Sequence, residues 1–287
     1  MPARLVATLL LCLCPLILGQ EAAQPPALKP EPQLSDEQME RFLKTAPIVS
    51  STLLGEGSTG AGKASLSDAG LTHDAQVQCV DVYKPVWKGA EGTVEKNFRD
   101  SWKFNVAAYR VGRLIGIKNI PMSVERNVDG KLCSVTWWVD NIWMDEAKRR
   151  EKNIKPPASD GWVNQLNAVR VFDQMIYNTD RNQGNLLITP EWKLWMIDHT
   201  RGFRLTRALM TVEPLRRIDA QLLQALRNLK AADIKREAGP WLRAEEISSV
   251  LFRRDLIVRF FESEIRAKGD EATITGLPRK TPSINVP

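Results

Sequence analysis

The stretch NTDRNQGNLLITPEWKLWMIDHT, residues 178–200, sets Asp180, Asn185 and Asp198 around a short apolar fold-back. Asn, Asp and Gly tolerate tight bends, which accounts for the first part as turn material and leaves the second acid unexplained. Leu186–Ile188 and Lys193–Ile197 are strand-like, with TPEW between them as a tight turn. A hairpin returns its ends to each other, so the backbones of Asn185 and Asp198 should lie roughly 5 to 8 Å apart. An amide oxygen and a carboxylate at that separation suit a hard divalent cation. Mg²⁺ wants oxygens at about 2.0–2.1 Å and usually takes only one or two from protein, beside phosphates and water. Asp180 stands five residues before Asn185, in the bend ahead of the hairpin, where its carboxylate can face a hydroxyl. An acid, an amide five residues on and a second acid beyond the hairpin thus converge on one small region, where a carboxylate can act as a proton acceptor beside a bound cation.

The elements that must position this set follow from periodicity. Residues 20–46 read as a Pro-rich linker and a short helix. PIVSSTLLGEG, a Gly/Ser-rich bend GSTGAGKASLSDAG, and AQVQCVDVYK give two or three hairpin-linked strands. In NFRDSWKFNVAAYRVGRLIG, Phe104, Ala108, Val111 and Ile115 share one helical face and Gly116 supplies a stop. IPMSVERNVDGKLCSVTWWVD is a hairpin turning at Asp129-Gly130. Trp162, Leu166, Val169, Phe172 and Ile176 then mark a helix leading into the hairpin of residues 186–197. Two amphipathic helices follow, within residues 217–234 and 243–269, and the polar tail 269–287 reads as disordered.

The N-terminal run LVATLLLCLCPLIL behind Arg4 reads as an export signal ending near Gly19, too short to span a bilayer comfortably. Its removal would leave 287 − 19 = 268 residues, enough for one large domain or two lobes sharing a cleft. Cys79 and Cys133 would then remain in an oxidising compartment, as a strand-to-strand disulfide or as free buried thiols. With two histidines, the chain carries no Cys/His zinc spacing. The formal charge of +6 is a mild bias that demands no nucleic acid; Arg201, Arg204, Arg207, Arg216 and Arg217 form either a solvated basic face or a patch that could favour an anionic substrate.

With Asp180-Arg181-Asn182, Gly184-Asn185 and Ile197-Asp198-His199 in this order, the chain resembles the protein-kinase-like superfamily. The likeness is to its atypical branches: phosphatidylinositol 3-/4-kinases, bacterial HipA toxin kinases and Golgi secretory-pathway kinases. It is specific over residues 178–203. The resemblance implies an α+β bilobal fold, with a small, mainly antiparallel β lobe bearing one helix over residues 47–140 and a mainly α catalytic lobe over residues 141–268. It also implies ATP with Mg²⁺ (or Mn²⁺), a hydroxyl acceptor, and a catalytic set of Asp180, Lys84 and Asn182, with Asn185 and Asp198 on the metal.

In the first lobe, Gly55, Gly57 and Gly60 would cover the phosphates with backbone amides, although alone they equally describe a surface loop. Lys84, ending VDVYK, takes the place resembling the phosphate-gripping lysine, with Lys88 a weaker candidate. Backbone groups at Val139 and Asp140 would read an adenine edge. The near-Walker spelling GSTGAGKA lacks the metal-holding hydroxyl at Ala64 and runs into a strand rather than a helix. Asn105 departs from the family, which places a Glu there to pair with the lysine; Glu95 is a substitute. The segment between Phe203 and Ile218 is short and carries no Ala-Pro-Glu. The reading is therefore an exported atypical kinase. The alternatives are a pseudokinase that binds nucleotide or a partner without turnover, and a structural secreted protein.

Overall fold

The computed structural model describes residues 25–53, 61–89, 92, 94–211 and 215–276. The run read as an export signal, and Gly55, Gly57 and Gly60, lie outside them. The first helix, α1 (Asp36–Thr45), is closed by a capping box between Ser35 and Gln38 and has acids in its first turn. Its last carbonyls are satisfied from outside, since Arg126 Nη1 donates to Leu43 O at 3.1 Å and Ala46 O at 2.8 Å. Phe42 and Leu43 are buried, so the helix is part of the fold.

Strands β1 (Ile48–Leu53), β2 (Gly62–Asp68) and β3 (Leu71–Gln78) follow, then a ribbon of β4 (Asp81–Lys88) and β5 (Val94–Ser101). Helix α2 (Lys103–Leu114) and the hairpin β6 (Ser123–Val128) and β7 (Lys131–Trp137) complete the first lobe. The sheet is antiparallel in the order β1-β2-β3-β7-β6, and β4-β5 pair only with each other. Two expectations are corrected here. KASLSD, read as part of a bend, is strand β2, turning at Ala69-Gly70, where φ is +48° and +82°. AQVQCVDVYK is not one strand, because the sheet ends at Gln78 and a new ribbon starts at Asp81. The break is tertiary: Cys79 is bonded to Cys133, and Trp102 N donates to Val80 O at 2.7 Å, turning the chain away from the sheet.

The second lobe contains β8 (Met144–Asp145), α3 (Glu146–Glu151), α4 (Asp160–Ile176), β9 (Leu186–Ile188), β10 (Leu194–Met196), β11 (Ile218–Asp219), α5 (Ala220–Asn228), α6 (Ala231–Ala238) and α7 (Ala244–Lys268). Asp219 caps α5 by accepting from the backbone amides of Gln221 and Leu222. The expected tail disorder does not begin at Gly269. Helix α8 (Asp270–Thr273) and strand β12 (Ile274–Thr275) return the chain to β11, with which β12 pairs in parallel. One buried apolar core runs through both lobes; Phe104 of α2 and Phe203 meet across it at 5.4 Å between ring centroids.

Candidate active site

Helix α4 ends at Tyr177, whose φ of +53° reverses the chain. Asn178, buried, then donates from Nδ2 to Asp173 Oδ1 at 3.2 Å and accepts the Asp180 amide on Oδ1 at 3.1 Å. Arg181 completes the loop as a fork. Nε and Nη2 donate to the two Asp173 oxygens at 2.9 and 3.1 Å, while Nη1 donates to Asn185 O at 3.2 Å and Ile197 O at 2.6 Å. One planar guanidinium thus ties the helix, the bend and both ends of the hairpin, which is the geometry Arg supplies and Lys does not. This bracing role of Arg181 has no signal in the sequence, because its partner Asp173 lies inside a helix, where an acid is ordinary.

The hairpin forms in the expected register, Leu186 opposite Met196 and Ile188 opposite Leu194, with β8 added on the outer edge of β9. Ile197 N donates to Asn185 O at 3.1 Å, which places Asp198 one residue beyond a residue paired with Asn185. Asn185 Nδ2 turns back to Asp180 O at 3.4 Å, leaving its side-chain oxygen to point elsewhere. Asp198 has φ +53°, a conformation Asp tolerates better than most residues. Its Oδ1 accepts the Thr200 hydroxyl at 3.0 Å, and Oδ2 makes no hydrogen bond among the described residues. Asn185 Oδ1 and Asp198 Oδ2 are thus two oxygens that could hold a hard cation, a number that would suit Mg²⁺. Among the described residues no group of three or more His, Cys, Asp or Glu is arranged to hold a metal by itself.

Asp180 is partly exposed. Burial raises its carboxyl above the ordinary range; Arg201 opposes that shift, and the charges of Asp198 and Asp100 add to it. Arg201 Nη1 stands 3.4 Å from Asp180 Oδ1, and Nε stands 3.5 Å from Asp100 Oδ2. Asn182, expected beside Asp180 in the catalytic set, is exposed on the loop and accepts the Asn185 amide through its carbonyl at 3.2 Å.

The first lobe meets the site differently from expectation. Lys84 lies exposed in the β4-β5 ribbon opposite Phe98, and Lys88 is exposed near its end. The residue facing Asn105 is instead Gln78, at the end of β3. Asn105 Nδ2 donates to Gln78 Oε1 at 2.8 Å and lies 3.3 Å from Ser134 Oγ, and Asn105 Oδ1 accepts the His199 amide at 2.8 Å. This neutral amide pair is buried, and Gln78 Nε2 has no partner among the described residues. Glu95 does not face Asn105; it stands 2.9 Å from Arg204 Nε. His199 is buried edge-on against Phe172, and burial holds its ring well below its ordinary pKa and neutral. Asp140 Oδ2 accepts from His73 Nε2 at 2.6 Å, and His73 stacks on Trp137 at 3.7 Å. The backbone groups of Val139 and Asp140 make no hydrogen bond among the described residues.

Cys79 and Cys133 form a disulfide, so the open pairing resolves as a bond from the residue just after β3 to β7. It lies one residue from both Gln78 and Ser134, and so braces the strands that carry the amide pair. No described helix is long and apolar enough to cross a membrane.

No protein-family model and no curated protein matches the chain. Solved structures do. The structure of hydra Fam20 with sugar is matched at a TM-score of 0.62 and 15% identity, over 84% of this chain and 93% of that one. The Golgi casein kinase is matched at 0.58 and 14% identity, over 84% and 78%. The Helicobacter pylori proinflammatory kinase CtkA is matched at 0.45 and 11%, over 83% and 99%. With its antiparallel five-stranded sheet, buried α2 and mainly helical second lobe, the chain has an atypical protein-kinase-like fold.

Proposed function

We propose that this protein is a metal- and ATP-dependent phosphotransferase acting on a hydroxyl acceptor. The observation that carries the reading is the meeting of Asp180, Asn185 and Asp198 at the open ends of one hairpin, within a kinase-like fold. Asn185 and Asp198 would hold a Mg²⁺ or Mn²⁺ ion, which when bound neutralises and aligns the β- and γ-phosphoryl oxygens. Asp180 faces the acceptor hydroxyl and takes its proton, its raised carboxyl making it a better base than an ordinary aspartate. Arg181 fixes both ends of the hairpin, so the donor pair and the base keep one geometry. The protein acts in an exported or lumenal setting, a reading supported by the leader-like N-terminus and by the Cys79–Cys133 bond.

Purified protein incubated with γ-labelled ATP and Mg²⁺ or Mn²⁺ should transfer or hydrolyse label. Asp180→Ala should lose about 10²- to 10⁴-fold in rate while still binding Mg-nucleotide, and Asp198→Ala should lose both. Turnover unchanged in Asp180→Ala removes it as the base.

The buried Gln78–Asn105 pair favours a second reading, a nucleotide-binding module without turnover, because neutral amides at the place of a charged pair cannot neutralise phosphate. Stabilisation by Mg-ATP in a thermal melt, with no label released by the wild-type protein, would select it.

A further inference from the structure

With Gln78 and Asn105 neutral, a transferring phosphoryl group needs its positive charge from elsewhere, and three arginines lie near Asp180. Arg181 is committed to Asp173 and two carbonyls. Arg204 is buried, 2.9 Å from Glu95 Oε1, and donates to Arg99 O at 2.7 Å. Arg201 is different. Its two carboxylate contacts, 3.4 and 3.5 Å, are well beyond the 2.7–2.9 Å of a charge-assisted hydrogen bond, and Nη2 makes no hydrogen bond among the described residues. The guanidinium is nonetheless held in place. It lies 5.3 Å from the ring centroid of Phe98 and 5.8 Å from that of Trp87, both supplied by the β4-β5 ribbon. Behind it, Asp100 is buried with Oδ1 unpartnered. The guanidinium thus stands between two carboxylates, Asp100 and Asp180, and the charge of Asp198 reaches Asp180 as well.

We propose that Arg201 is the cation that binds the γ-phosphoryl group, supplying the positive charge that Gln78, the partner of Asn105, does not; the proposal rests on the phosphotransferase reading. Position decides which phosphate it touches. The transferred phosphorus must come within bonding reach of the hydroxyl that Asp180 faces, so a group 3.4 Å from Asp180 is placed for that phosphoryl and not for the α- or β-phosphate. As the acceptor oxygen bonds to the γ-phosphorus, the bond from that phosphorus to the β–γ bridging oxygen breaks. The electron pair leaves on ADP, and the acceptor proton passes to Asp180. Charge spread over the three γ-oxygens is met by the Arg201 fork, which trades two long carboxylate contacts for short phosphate ones. Asp100 holds the other edge of the fork, so that Arg201 does not collapse onto Asp180 and quench it as a base.

The test compares Mg-ADP with a Mg-bound non-hydrolysable ATP analogue, by calorimetry, in the wild type, Arg201→Met and Arg201→Lys. Methionine keeps apolar packing against Phe98 and Trp87 and removes the charge, and a thermal melt of each variant verifies folding. The wild type should prefer the triphosphate. Arg201→Met should lose about tenfold or more of analogue affinity, as expected for losing hydrogen bonds to a charged group, with ADP affinity nearly unchanged and Arg201→Lys between the two. An unchanged ratio of the two affinities, or an equal loss for both nucleotides, overturns the role of Arg201 and leaves the phosphotransferase reading standing. An unchanged ratio with a raised KM for an anionic acceptor also overturns it and gives Arg201 to the acceptor. Failure of the wild type to bind either nucleotide removes both.

Discussion

At the scale of single residues, the site is organised by which charges are paired and which are left over. Arg181 and Asp173 satisfy each other and build the loop, whereas Asp180, Asp198 and Asp100 are partnered only weakly. The Asp180 carboxyl is raised by burial, held back by Arg201 and pushed further by Asp198 and Asp100, so the acidic limb of a transfer-rate profile should lie above the ordinary Asp value of about 3.9. Asp100→Asn removes one raising charge and should move that limb to lower pH. A profile of kcat/KM against pH for the two proteins measures the difference, and coincident limbs would separate Asp100 from the base. The meeting of Asp180, Asn185 and Asp198 was legible because turn chemistry, hairpin length and Asp-x-x-x-x-Asn spacing are local signals. Gln78 was not, since nothing between Ala75 and Lys84 announces that the strand breaks after residue 78; a disulfide and a backbone bond from Trp102 impose it. Asn105 stands out in the sequence as a departure, but its partner Gln78 is set by the fold, 27 residues away along the chain.

At the scale of elements, the segment after β10 carries strain and burial that fix where Asp198 points. The φ of +53° at Asp198 is followed by His199, buried between α2 and α4, its amide held by Asn105. This histidine is neutral when folded and takes a proton near its ordinary pKa of about 6.5 when unfolded. A depressed folded-state pKa contributes stability that is present above the unfolded value and lost as pH falls below it, by up to about 1.4 kcal/mol per pH unit. His199→Phe keeps an aromatic ring against Phe172 and has no proton to bind. Urea unfolding at pH 5 and pH 8 should therefore show a smaller loss on acidification in the variant than in the wild type. An equal loss would place the acid sensitivity elsewhere. Farther along, buried Arg253 of α7 donates to Met175 O, Arg204 O and Thr206 O, pinning the segment beyond Asp198 to the end of α4. Burial lowers its guanidinium to about 10, and it remains charged at neutral pH. The disulfide, closing residues separated by 54 positions, contributes about 4 kcal/mol in the chain-entropy view.

At the scale of the whole molecule, the β4-β5 ribbon is what the sequence least foretold and what joins the lobes most visibly. It leaves the first-lobe sheet, and its second strand docks on the other lobe. Arg99 Nη1 donates to buried Glu246 of α7 at 2.5 Å, Glu95 faces Arg204, and Ser101 N donates to Thr200 O at 2.9 Å. Read as sequence, VDVYK and NFRDS look like the end of one strand and the approach to a helix, because ribbon and sheet share the same alternation. Only docking partners far along the chain distinguish them. Glu246→Gln leaves Arg99 and Arg243 facing a neutral amide and should cost about 3 kcal/mol or more, as expected for breaking a buried pair. Hydrogen exchange in residues 94–101 should quicken with it. Exchange unchanged in the ribbon would mean that the lobes are joined without this contact.

The central claim is that the two ends of the β9-β10 hairpin hold a divalent cation beneath nucleotide phosphates, beside Asp180. It is tested most directly by anomalous diffraction from crystals soaked with Mn²⁺ and a non-hydrolysable ATP analogue. The account predicts one strong manganese peak bridging Asn185 Oδ1 and Asp198 Oδ2, with the γ-phosphoryl group between it and Arg201. Nucleotide bound with no manganese at those two oxygens, or manganese bound elsewhere with the hairpin unchanged, would contradict it.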